Sequence, residues 1–386
     1  MKHFLLFGIH PELSLAEARA VLGKGVEPWM GSMALVDSPA FDGAAIQERL
    51  GGVVKLGEVV AELETSNVSE LAAQIADQIE ARPRADRVLF GLTLAGTPKD
   101  KDNFKKLPIE LKRALQGRGR GVRWVTGDNG NISPAAIAKL ELTTEGYDFV
   151  IAIDKKKIAI CLTTNVQNAD AWSERDYGRP FRDAKTGMLP PKLARMMVNL
   201  SRMNAGVLLD PFCGGGTVLM EAAMMFPKAE FIGSDIDAKQ VSGTKRNFEW
   251  LKSKNFVAQN IEPKLLTSPA QKLDAQLDAG SVDVIVTEGY LGKPLQDAET
   301  DLALQTNKRE VETVWNEALP ALGKLLKNGG SLVCVWPSFV AGKGLINTGA
   351  DAAAAKAGLV RVAGPLPYGR ADQRLVRNLF VYEKKA

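Results

Sequence analysis

Histidine is almost absent from this sequence, and cysteine is scarce. The two histidines, His3 and His10, both lie near the N-terminus, which argues against histidine acid–base chemistry and histidine-rich metal sites. The three cysteines, at positions 161, 213 and 334, lie far apart and lack the spacing of metal ligands. We therefore expect no metal ion, and we expect a reducing, cytoplasmic location.

Long apolar runs are missing as well. No stretch is long enough to cross a bilayer, and the opening MKHFLLFGIHPELS has too short an apolar run and no convincing cleavage site for a signal peptide. Hydrophobic residues make up 45% of the chain and charged residues 24%, as in globular proteins. A chain of 386 residues exceeds what one core usually supports, so we expect two or three domains and no membrane association.

The most informative stretch is GVLLDPFCGGGTVLMEAA, residues 206–223. It predicts an apolar strand that ends in Asp210, a glycine-rich turn, and a helix that begins at Thr217. Glycines in such a turn let the backbone approach a nucleotide-like ligand closely, because they have no Cβ. The dinucleotide fingerprint fails, since Leu219 stands where its last glycine should be, and the ending of a triphosphate loop is absent. An acid after the first strand fits a cationic ligand such as S-adenosylmethionine (SAM).

A second acid follows the next predicted strand. That strand, Phe231–Ser234, leads into Asp235, which is placed to accept hydrogen bonds from ribose hydroxyls. An ordinary strand–turn–helix connection with a surface acid is the alternative. Here the chain resembles the class I methyltransferases, and DPFCGGGT resembles the branch that methylates exocyclic amines of nucleic-acid bases. The resemblance implies SAM as cofactor, held by Asp210, Pro211, Phe212, Cys213, Gly214, Gly216, Thr217, Asp235, Ile236, Ser268 and Ala270.

The catalytic motif departs from that of related enzymes. They carry Asp/Asn-Pro-Pro-Tyr/Phe after the fourth strand; the polar group accepts from the amine, and the aromatic ring stacks on an unpaired or flipped base. Here the predicted strand Val282–Thr287 leads into Glu288-Gly289-Tyr290. The resemblance implies Glu288 as the acceptor and Tyr290 as the stacking ring of a loop that is one residue shorter. Alternatively, Tyr290 takes a proline position and Leu291 replaces the aromatic residue. Both prolines are missing, and glycine should increase the freedom of the loop, so an inactive fold that only binds RNA is an alternative.

The N-terminal half contains a concentrated basic segment. Residues 97–124 hold nine Lys/Arg against three acids, and arginines alternate with glycines in GRGRG. This charge is typical of a polyanion-binding surface, and a solvated helix face is the alternative. The order of predicted elements together with this loop resembles the THUMP domain, an RNA-binding module of tRNA-modifying enzymes. The resemblance implies that RNA is bound by residues of this segment and by two arginines of the connection that follows it. They are Lys112, Arg113, Arg118, Arg120, Arg123, Arg175 and Arg179.

These patterns predict an α/β chain of several parts. Residues 191–386 are expected to form a Rossmann-like class I methyltransferase domain, whose parallel sheet ends in an antiparallel strand. Its predicted elements include a helix over Trp315–Lys327, which stops at Asn328-Gly329-Gly330. Ahead of it we expect a ferredoxin-like α+β domain (residues 1–80), a THUMP-like domain (81–168) and a linker (169–190).

The connection RDYGRP, followed by GMLPPKLARMMVNL, resembles the bridge of THUMP-containing tRNA guanine-N2-methyltransferases. The resemblance covers nearly the whole chain. It implies SAM-dependent methylation of the exocyclic N2 amine of a guanine in tRNA, with position 10 as the expected target. Some relatives need a small activating protein subunit. The alternatives are a ribosomal-RNA or DNA amino-methyltransferase, or a catalytically inactive RNA-binding protein.

Overall fold

The computed structural model of the protein describes residues 1–127, 131–183, 188–295, 299–342, 344–370 and 373–385. Contacts divide the chain into two compact units, Met1–Trp172 and Ser173–Ala386. Each unit is an α/β structure built on one eight-stranded sheet. Within the described ranges, no helix is long and apolar enough to cross a membrane.

The elements of the first unit alternate irregularly between strand and helix. The strands are β1 (Lys2–Phe7), β2 (Val26–Trp29), β3 (Met33–Asp37), β4 (Val53–Glu64), β5 (Arg87–Ala95), β6 (Gly121–Val125), β7 (Tyr147–Asp154) and β8 (Lys157–Val166). The helices are α1 (Pro11–Leu22), α2 (Gly43–Arg49), α3 (Val68–Glu80), α4 (Pro98–Phe104), α5 (Leu107–Gly117), α6 (Pro134–Lys139) and α7 (Ala169–Tyr177), the last of which continues into the second unit.

The sheet of the first unit is mixed, in the order β2-β3-β1-β4-β8-β7-β5-β6. Except for β4, its interior strands are buried along most of their length; in β7, every residue except the terminal Asp154 is buried. A strand buried in this continuous way is covered on both faces, which explains its run of apolar side chains. The strands of the predicted ferredoxin-like and THUMP-like regions lie in this one sheet, because β4 pairs antiparallel with β8. The boundary at residue 80 stays a prediction.

One ion pair is buried inside this sheet. The ammonium of Lys55 on β4 lies 3.1 Å from Asp148 Oδ2 on β7, and both residues are almost fully buried. Lys55 also donates to Thr93 Oγ1 at 3.0 Å, and Thr163 donates its hydroxyl to Asp148 Oδ2 at 2.6 Å. These hydrogen bonds satisfy both charges, as the interior of a protein requires.

The second unit alternates between strand and helix more regularly. Its helices are α8 (Pro191–Leu200), α9 (Thr217–Met225), α10 (Ala238–Ser253), a 3-10 helix (Ala270–Ala275), α11 (Asp301–Leu325) and α12 (Asp351–Lys356). Its strands are β9 (Val207–Asp210), β10 (Glu230–Asp235), β11 (Lys264–Thr267), β12 (Val282–Thr287), β13 (Leu326–Ala341), β14 (Gly344–Asn347), β15 (Leu359–Tyr368) and β16 (Leu375–Lys384).

The sheet of the second unit confirms the expected fold. The strand order is β11-β10-β9-β12-β13-β16-β15, and β14 pairs with β13. The strands from β11 to β13 run parallel, whereas β16 is antiparallel to both of its neighbours. This is a parallel sheet with an antiparallel terminal strand. The strand order reverses next to β9, so the carboxyl ends of β9, β10 and β12 border the crevice where such sheets bind ligands.

The predicted helix Trp315–Lys327 differs from the structure at its end. It is the second half of the longer helix α11, which stops at Leu325. The next residue, Leu326, has extended backbone angles (φ −71°, ψ 136°) and pairs with Val282 as the first residue of β13. Leu326 is fully buried in the core. Burial and strand pairing therefore end the helix before the Asn-Gly-Gly signal is reached.

Candidate active site

The first carboxylate of the site, Asp210, ends β9. Its side chain is 2% exposed, and its Oδ1 accepts the N–H of Phe212 at 3.2 Å. Burial raises the pKa of Asp210 to about 7, and the negative charges of Asp235 and Glu288 add to the rise. The ionised carboxylate is therefore destabilised in the free protein, and a cationic group placed beside it would favour ionisation.

The turn after Asp210 requires glycine at two positions. Gly214 and Gly216 have φ of +51° and +79°, in the left-handed region that favours glycine. At Gly216 a Cβ would also come within 2.6 Å of the Thr244 side chain. Thr217 begins α9 directly after this turn, and the N-cap residue Gly216 has no side chain that could cap the helix.

Two polar residues of α10 fix the turn. Thr244 donates its hydroxyl to Gly214 O at 2.6 Å, and the Asn247 amide donates to Gly215 O at 2.8 Å. Asn247 also exchanges two hydrogen bonds with the backbone of Phe181, so it joins the turn to the connection that precedes α8. Sequence reasoning missed Thr244 and Asn247. The available signal was a pair of polar residues three apart, on the same side of α10 as Phe248 and Leu251.

The second carboxylate, Asp235, ends β10. Its Oδ2 accepts the N–H of Gly214 at 3.0 Å, and its Oδ1 accepts the N–H of Asp237 at 2.9 Å. Burial raises its pKa above the usual range of an aspartate. Each carboxylate oxygen can accept a further hydrogen bond. Asp235 can therefore hold the turn and still receive hydroxyl groups of a ligand.

Ser268 and Ala270 lie next to Asp235 along the sheet edge. The Ser268 N–H donates to Asp235 O at 2.9 Å, and its hydroxyl accepts from Gln276 Nε2 at 2.6 Å. Ala270 begins the 3-10 helix and is buried in the core. Both residues support this edge of the sheet, and their side chains are engaged within the protein.

A cleft of about 440 Å³ opens at the carboxyl ends of β9, β10 and β12. A larger cleft, of about 630 Å³, opens at the amino ends of β9, β10 and β11. Open parallel sheets bind their ligands at the carboxyl ends, so we place the site in the smaller cleft. The predicted site residues that line it are Asp210, Phe212, Cys213, Gly214, Thr217, Asp235, Ile236, Glu288, Tyr290 and Arg179; Pro211, Gly216, Ser268 and Ala270 are not among the described lining residues.

Glu288 and Tyr290 follow β12 and face the same cleft as the two aspartates. Glu288 Oε1 accepts from Arg377 Nε, on β16, at 2.5 Å. The Tyr290 hydroxyl lies 3.5 Å from Glu310 on α11, and burial raises the pKa of the phenol. Glu288 is thus held by a cation that sequence reasoning missed, because Arg377 lies far away in the sequence.

The loop that carries these residues is fixed in spite of its glycines. Gly289 and Gly292 have φ of +72° and +92°. A Cβ at Gly289 would come within 2.3 Å of the Trp315 ring, so the backbone packs directly on α11. The side chain of Asn307 accepts the Lys293 N–H at 2.7 Å and donates to Lys293 O at 3.0 Å. Packing and hydrogen bonds from α11 replace the stiffness that two prolines would supply.

Comparisons with known proteins agree with this geometry. Residues 179–338 match the family UPF0020, RMKL-like, methyltransferase domain. The chain is 26% identical over 350 residues to the tRNA (guanine(10)-N2)-dimethyltransferase of Methanothermobacter thermautotrophicus, across 89% of this chain and 90% of that protein. It is 39% identical over 145 residues to the "Probable tRNA (guanine(10)-N2)-dimethyltransferase" of Methanothermococcus thermolithotrophicus, across 37% of this chain and 77% of that protein. The chain belongs to the tRNA guanine-N2-methyltransferase family.

The methyltransferase also resembles solved structures along its whole length. It aligns with SMU.472, solved in complex with SAH, with a TM-score of 0.53 at 13% identity, covering 100% of this chain and 98% of that one. At this identity the likeness concerns the fold, and it extends to both α/β units.

The basic segment of the methyltransferase lies on α4, α5 and β6. Arg118 and Arg120, which flank the glycine of the predicted RNA-binding loop, contact acids of α3. Arg118 lies 2.7 Å from Asp77; Arg120 lies 3.3 Å from Glu80 and donates to Ala85 O at 2.6 Å. Part of the positive charge of this loop is therefore compensated within the protein.

Other cations of this segment are exposed. Lys112 and Arg123 are exposed and form no ion pair within the described ranges, whereas Arg113 lies 2.7 Å from Glu110. Lys105 and Lys106, just before α5, are likewise exposed and without an ion pair to any described residue. We call Lys105, Lys106 and Lys112 the lysine face.

Arg175 and Arg179, predicted to contact RNA, are buried in the second unit instead. Arg175 Nε donates to Glu221 Oε1 at 2.8 Å, and Arg195 lies 2.7 Å from the other oxygen of that carboxylate. Arg179 donates to the hydroxyl of Thr217 at the start of α9. Burial removes Arg175 from the protein surface and leaves Arg179 only in the wall of the cleft. Sequence reasoning missed Glu221 on α9 and Arg195 on α8. Each is a charged residue within an otherwise largely apolar helix, which could have indicated a buried ion pair.

Proposed function

We propose that this chain is a SAM-dependent tRNA methyltransferase that methylates the exocyclic N2 amine of a guanine. The observation that carries the proposal is the meeting of Asp210, Asp235, Glu288 and Tyr290 around one cleft. The relatives reported above act, by their names, on guanine 10 of tRNA. We take position 10 as the target in this chain.

The cleft fits the chemistry of SAM. Gly214 and Gly215 present bare backbone at its wall, and Asp210 lacks a cationic partner among the described residues. Asp210 would bind the α-ammonium of the aminoacyl group, and Asp235 would accept the ribose hydroxyls. Of the other predicted cofactor residues, Phe212, Cys213, Thr217 and Ile236 would contact the ligand in the cleft. Pro211, Gly216, Ser268 and Ala270 would shape the turn and the sheet edge.

Glu288 and Tyr290 would hold the target base. When bound, SAM supplies the electrophilic methyl group. The guanine amine is a poor nucleophile because its lone pair is delocalised into the ring, so the residues must orient it rather than deprotonate it strongly. Glu288 would accept a hydrogen bond from the amine, aiming the nitrogen at the methyl group, and Tyr290 would stack on the flipped base. Arg377 would keep the Glu288 carboxylate in place.

The first unit would supply tRNA affinity. We propose that its THUMP-like region (residues 81–168) contacts the phosphate backbone through Lys112, Arg113, Arg118, Arg120 and Arg123. The lysine face would contribute most, because its charges are not neutralised by ion pairs with described residues. Backbone contacts of this kind recognise the shape of RNA rather than its sequence.

The purified chain should methylate tRNA, and neither ribosomal RNA nor DNA, when supplied with tritiated SAM. Nucleoside mass spectrometry should find N2-methylguanosine or its dimethyl form, and replacing guanine 10 of the tRNA should abolish incorporation. Label found in ribosomal RNA or DNA alone would instead support a ribosomal-RNA or DNA amino-methyltransferase. No label together with intact tRNA binding would favour the inactive RNA-binding protein, unless a small activating partner restores transfer.

The role of Glu288 has its own test. Glu288→Ala should lower kcat at least about 100-fold, because it removes the hydrogen-bond acceptor of the amine, while SAM affinity changes little. Glu317→Ala, at an exposed position on α11, is the matched control and should retain full activity. Full activity of Glu288→Ala would refute the assignment.

A further inference from the structure

Arg179 is a buried cation in the wall of the cleft. It is 4% exposed and lines the same cleft as Asp210 and the glycine turn. One of its Nη atoms donates to Thr217 Oγ1, and the other lies 3.8 Å from the sulfur of Met188 and 3.9 Å from Asp176. Its Nε–H, also buried, has no hydrogen-bond partner among the described residues. The guanidinium is thus incompletely satisfied.

This arrangement is costly without a ligand. An arginine cannot lose its charge, so a buried guanidinium with an unpaired N–H bears the full loss of its hydration. The carboxylate of Asp176 is near the limit of an ion pair, and methionine sulfur is only a weak acceptor. The other charged residues that line the described part of the cleft are acids and the exposed Lys293. Arg179 therefore marks the place in this cleft where an anionic group is stabilised.

The start of α9 points to the same ligand chemistry. The helix begins at Thr217, the residue that Arg179 contacts; its N-cap residue is Gly216, which has no side chain, and its first turn contains no acid. Its first N–H groups and the positive end of its dipole favour an anion. A buried guanidinium and a free helix N-terminus thus converge on one point of the cleft wall, beside the turn that follows Asp210.

The geometry points to Arg179 as the residue that binds the α-carboxylate of the methionine part of SAM. This inference rests on the proposed function, because it takes SAM as the ligand. The α-carbon of that part carries a carboxylate and an ammonium, two opposite charges on adjacent bonds. The cleft offers a matching pair, with Arg179 for the carboxylate and Asp210 for the ammonium. Arg179 is then a cofactor-positioning residue rather than an RNA contact.

The network around Glu221 supports this role. Glu221 lies one turn after Thr217 on α9 and binds both Arg175 and Arg195. Two arginines thus satisfy the only acid of α9, which leaves Arg179 without a carboxylate of that helix as partner. Arg179 lines the wall of the cleft and its side chain is 2% exposed, so a phosphate of RNA that stays outside the cleft does not contact it.

The test compares SAM with decarboxylated SAM, which lacks the carboxylate alone, by isothermal titration calorimetry. The wild-type protein should bind SAM about 10- to 100-fold more tightly than the decarboxylated form, the range expected for a charged hydrogen-bonded pair. Arg179→Gln should weaken SAM binding by a similar factor and leave the decarboxylated form within about threefold. Arg179→Lys, which keeps the charge, should retain part of the preference.

Arg182→Gln is the matched control, because Arg182 is exposed and packs over Tyr177. It should leave both affinities unchanged. The ratio of the two affinities reports on folded molecules only, so partial loss of stability in Arg179→Gln does not mimic the expected result.

Three results would overturn the inference. They are an equal loss of affinity for both ligands, an unchanged preference for SAM, and a loss of tRNA affinity in Arg179→Gln with SAM binding intact. Its failure is distinguishable from that of the proposed function. If the wild-type protein prefers SAM through Arg179 but methylates no tRNA, only the proposed function is refuted. If it binds neither SAM nor decarboxylated SAM, both the proposed function and this inference are refuted.

Discussion

At the scale of single residues, the site depends on carboxylates that are unfavourably placed in the free protein. Asp210 is buried and has a pKa of about 7, and the pKa of Asp235 is also raised by burial. A carboxyl whose pKa is higher in the folded than in the unfolded state stabilises the fold at low pH, and this contribution is lost as the pH rises through the folded value. A bound cation favours the ionised carboxylate instead. As the pH rises, the affinity for a cationic ligand should therefore increase while the stability of the free protein decreases.

Titration of Asp210 should control SAM affinity. Below pH 7 a proton must leave Asp210 before the α-ammonium binds, so affinity should fall by up to tenfold for each pH unit between about 7 and 5. Calorimetry across this range measures the slope. Asp210→Asn should bind SAM more weakly and lose the slope. Its stability relative to the wild type should rise between pH 5 and pH 8, since asparagine cannot ionise; a slope that survives in Asp210→Asn would contradict the assignment.

At the scale of elements, α11 organises the catalytic loop. Its Trp315 receives the backbone of Gly289, and its Asn307 binds both backbone groups of Lys293. Trp315 also lies 5.5 Å from the ring of Phe212 in the glycine turn and 4.8 Å from Trp336 on β13, measured between ring centroids. One aromatic side chain thus joins the cofactor turn, the catalytic loop and the sheet.

Gly289→Ala should therefore destabilise the protein strongly. A left-handed alanine costs about 1 kcal/mol, and the overlap with Trp315 adds about 1–3 kcal/mol. Urea unfolding measures the sum. Gly280→Ala is the matched control: Gly280 has φ of +64°, but nothing lies within 4 Å of its added Cβ, so only the backbone term of about 1 kcal/mol applies. Equal losses in the two variants would show that the Trp315 contact is not tight.

At the scale of the whole molecule, charge is distributed unequally along the chain. Nine basic residues of the first unit lie in the segment of α4, α5 and β6, while the charged residues that line the cleft of the second unit are mainly acids. The acids suit a cationic cofactor, and the basic segment suits a polyanion. The arginines of the GRGRG loop are partly compensated by acids of α3, so the lysine face is the stronger candidate for phosphate contacts.

The triple variant Lys105→Ala, Lys106→Ala and Lys112→Ala should bind tRNA more weakly at low salt. It should also reduce the slope of log affinity against log salt by about 2 to 3, since each phosphate contact contributes about 0.7–0.9 to that slope. Filter binding across a salt series measures both. Lys24→Ala, an exposed lysine elsewhere in the first unit, should change neither. An unchanged slope in the triple variant would place tRNA elsewhere.

Much of the second unit was predictable because local signals agree with long-range ones. Strand ends that carry Asp210, Asp235 and Glu288 meet at one edge of a parallel sheet, and that follows from topology alone. The burial of charged side chains could not be predicted from the topology. Arg175 and Arg179 read as surface cations, since only the folded chain brings Glu221 and Thr217 to them. The rigidity of the catalytic loop was also hidden, because the side chains that fix Gly289 and Gly292 lie on α11, well separated in the sequence.

The ion pair between Lys55 and Asp148 has a consequence for any attempt to dissect the chain. A fragment ending at residue 80 would keep the ammonium on β4 and lose its counter-ion on β7, along with the strand β8 that completes one side of β4. Without β7 and β8, Lys55 has no counter-ion and one edge of β4 presents unpaired backbone N–H and C=O groups. Residues 1–80 therefore depend for stable folding on the β7–β8 hairpin, which lies some seventy residues further along the chain.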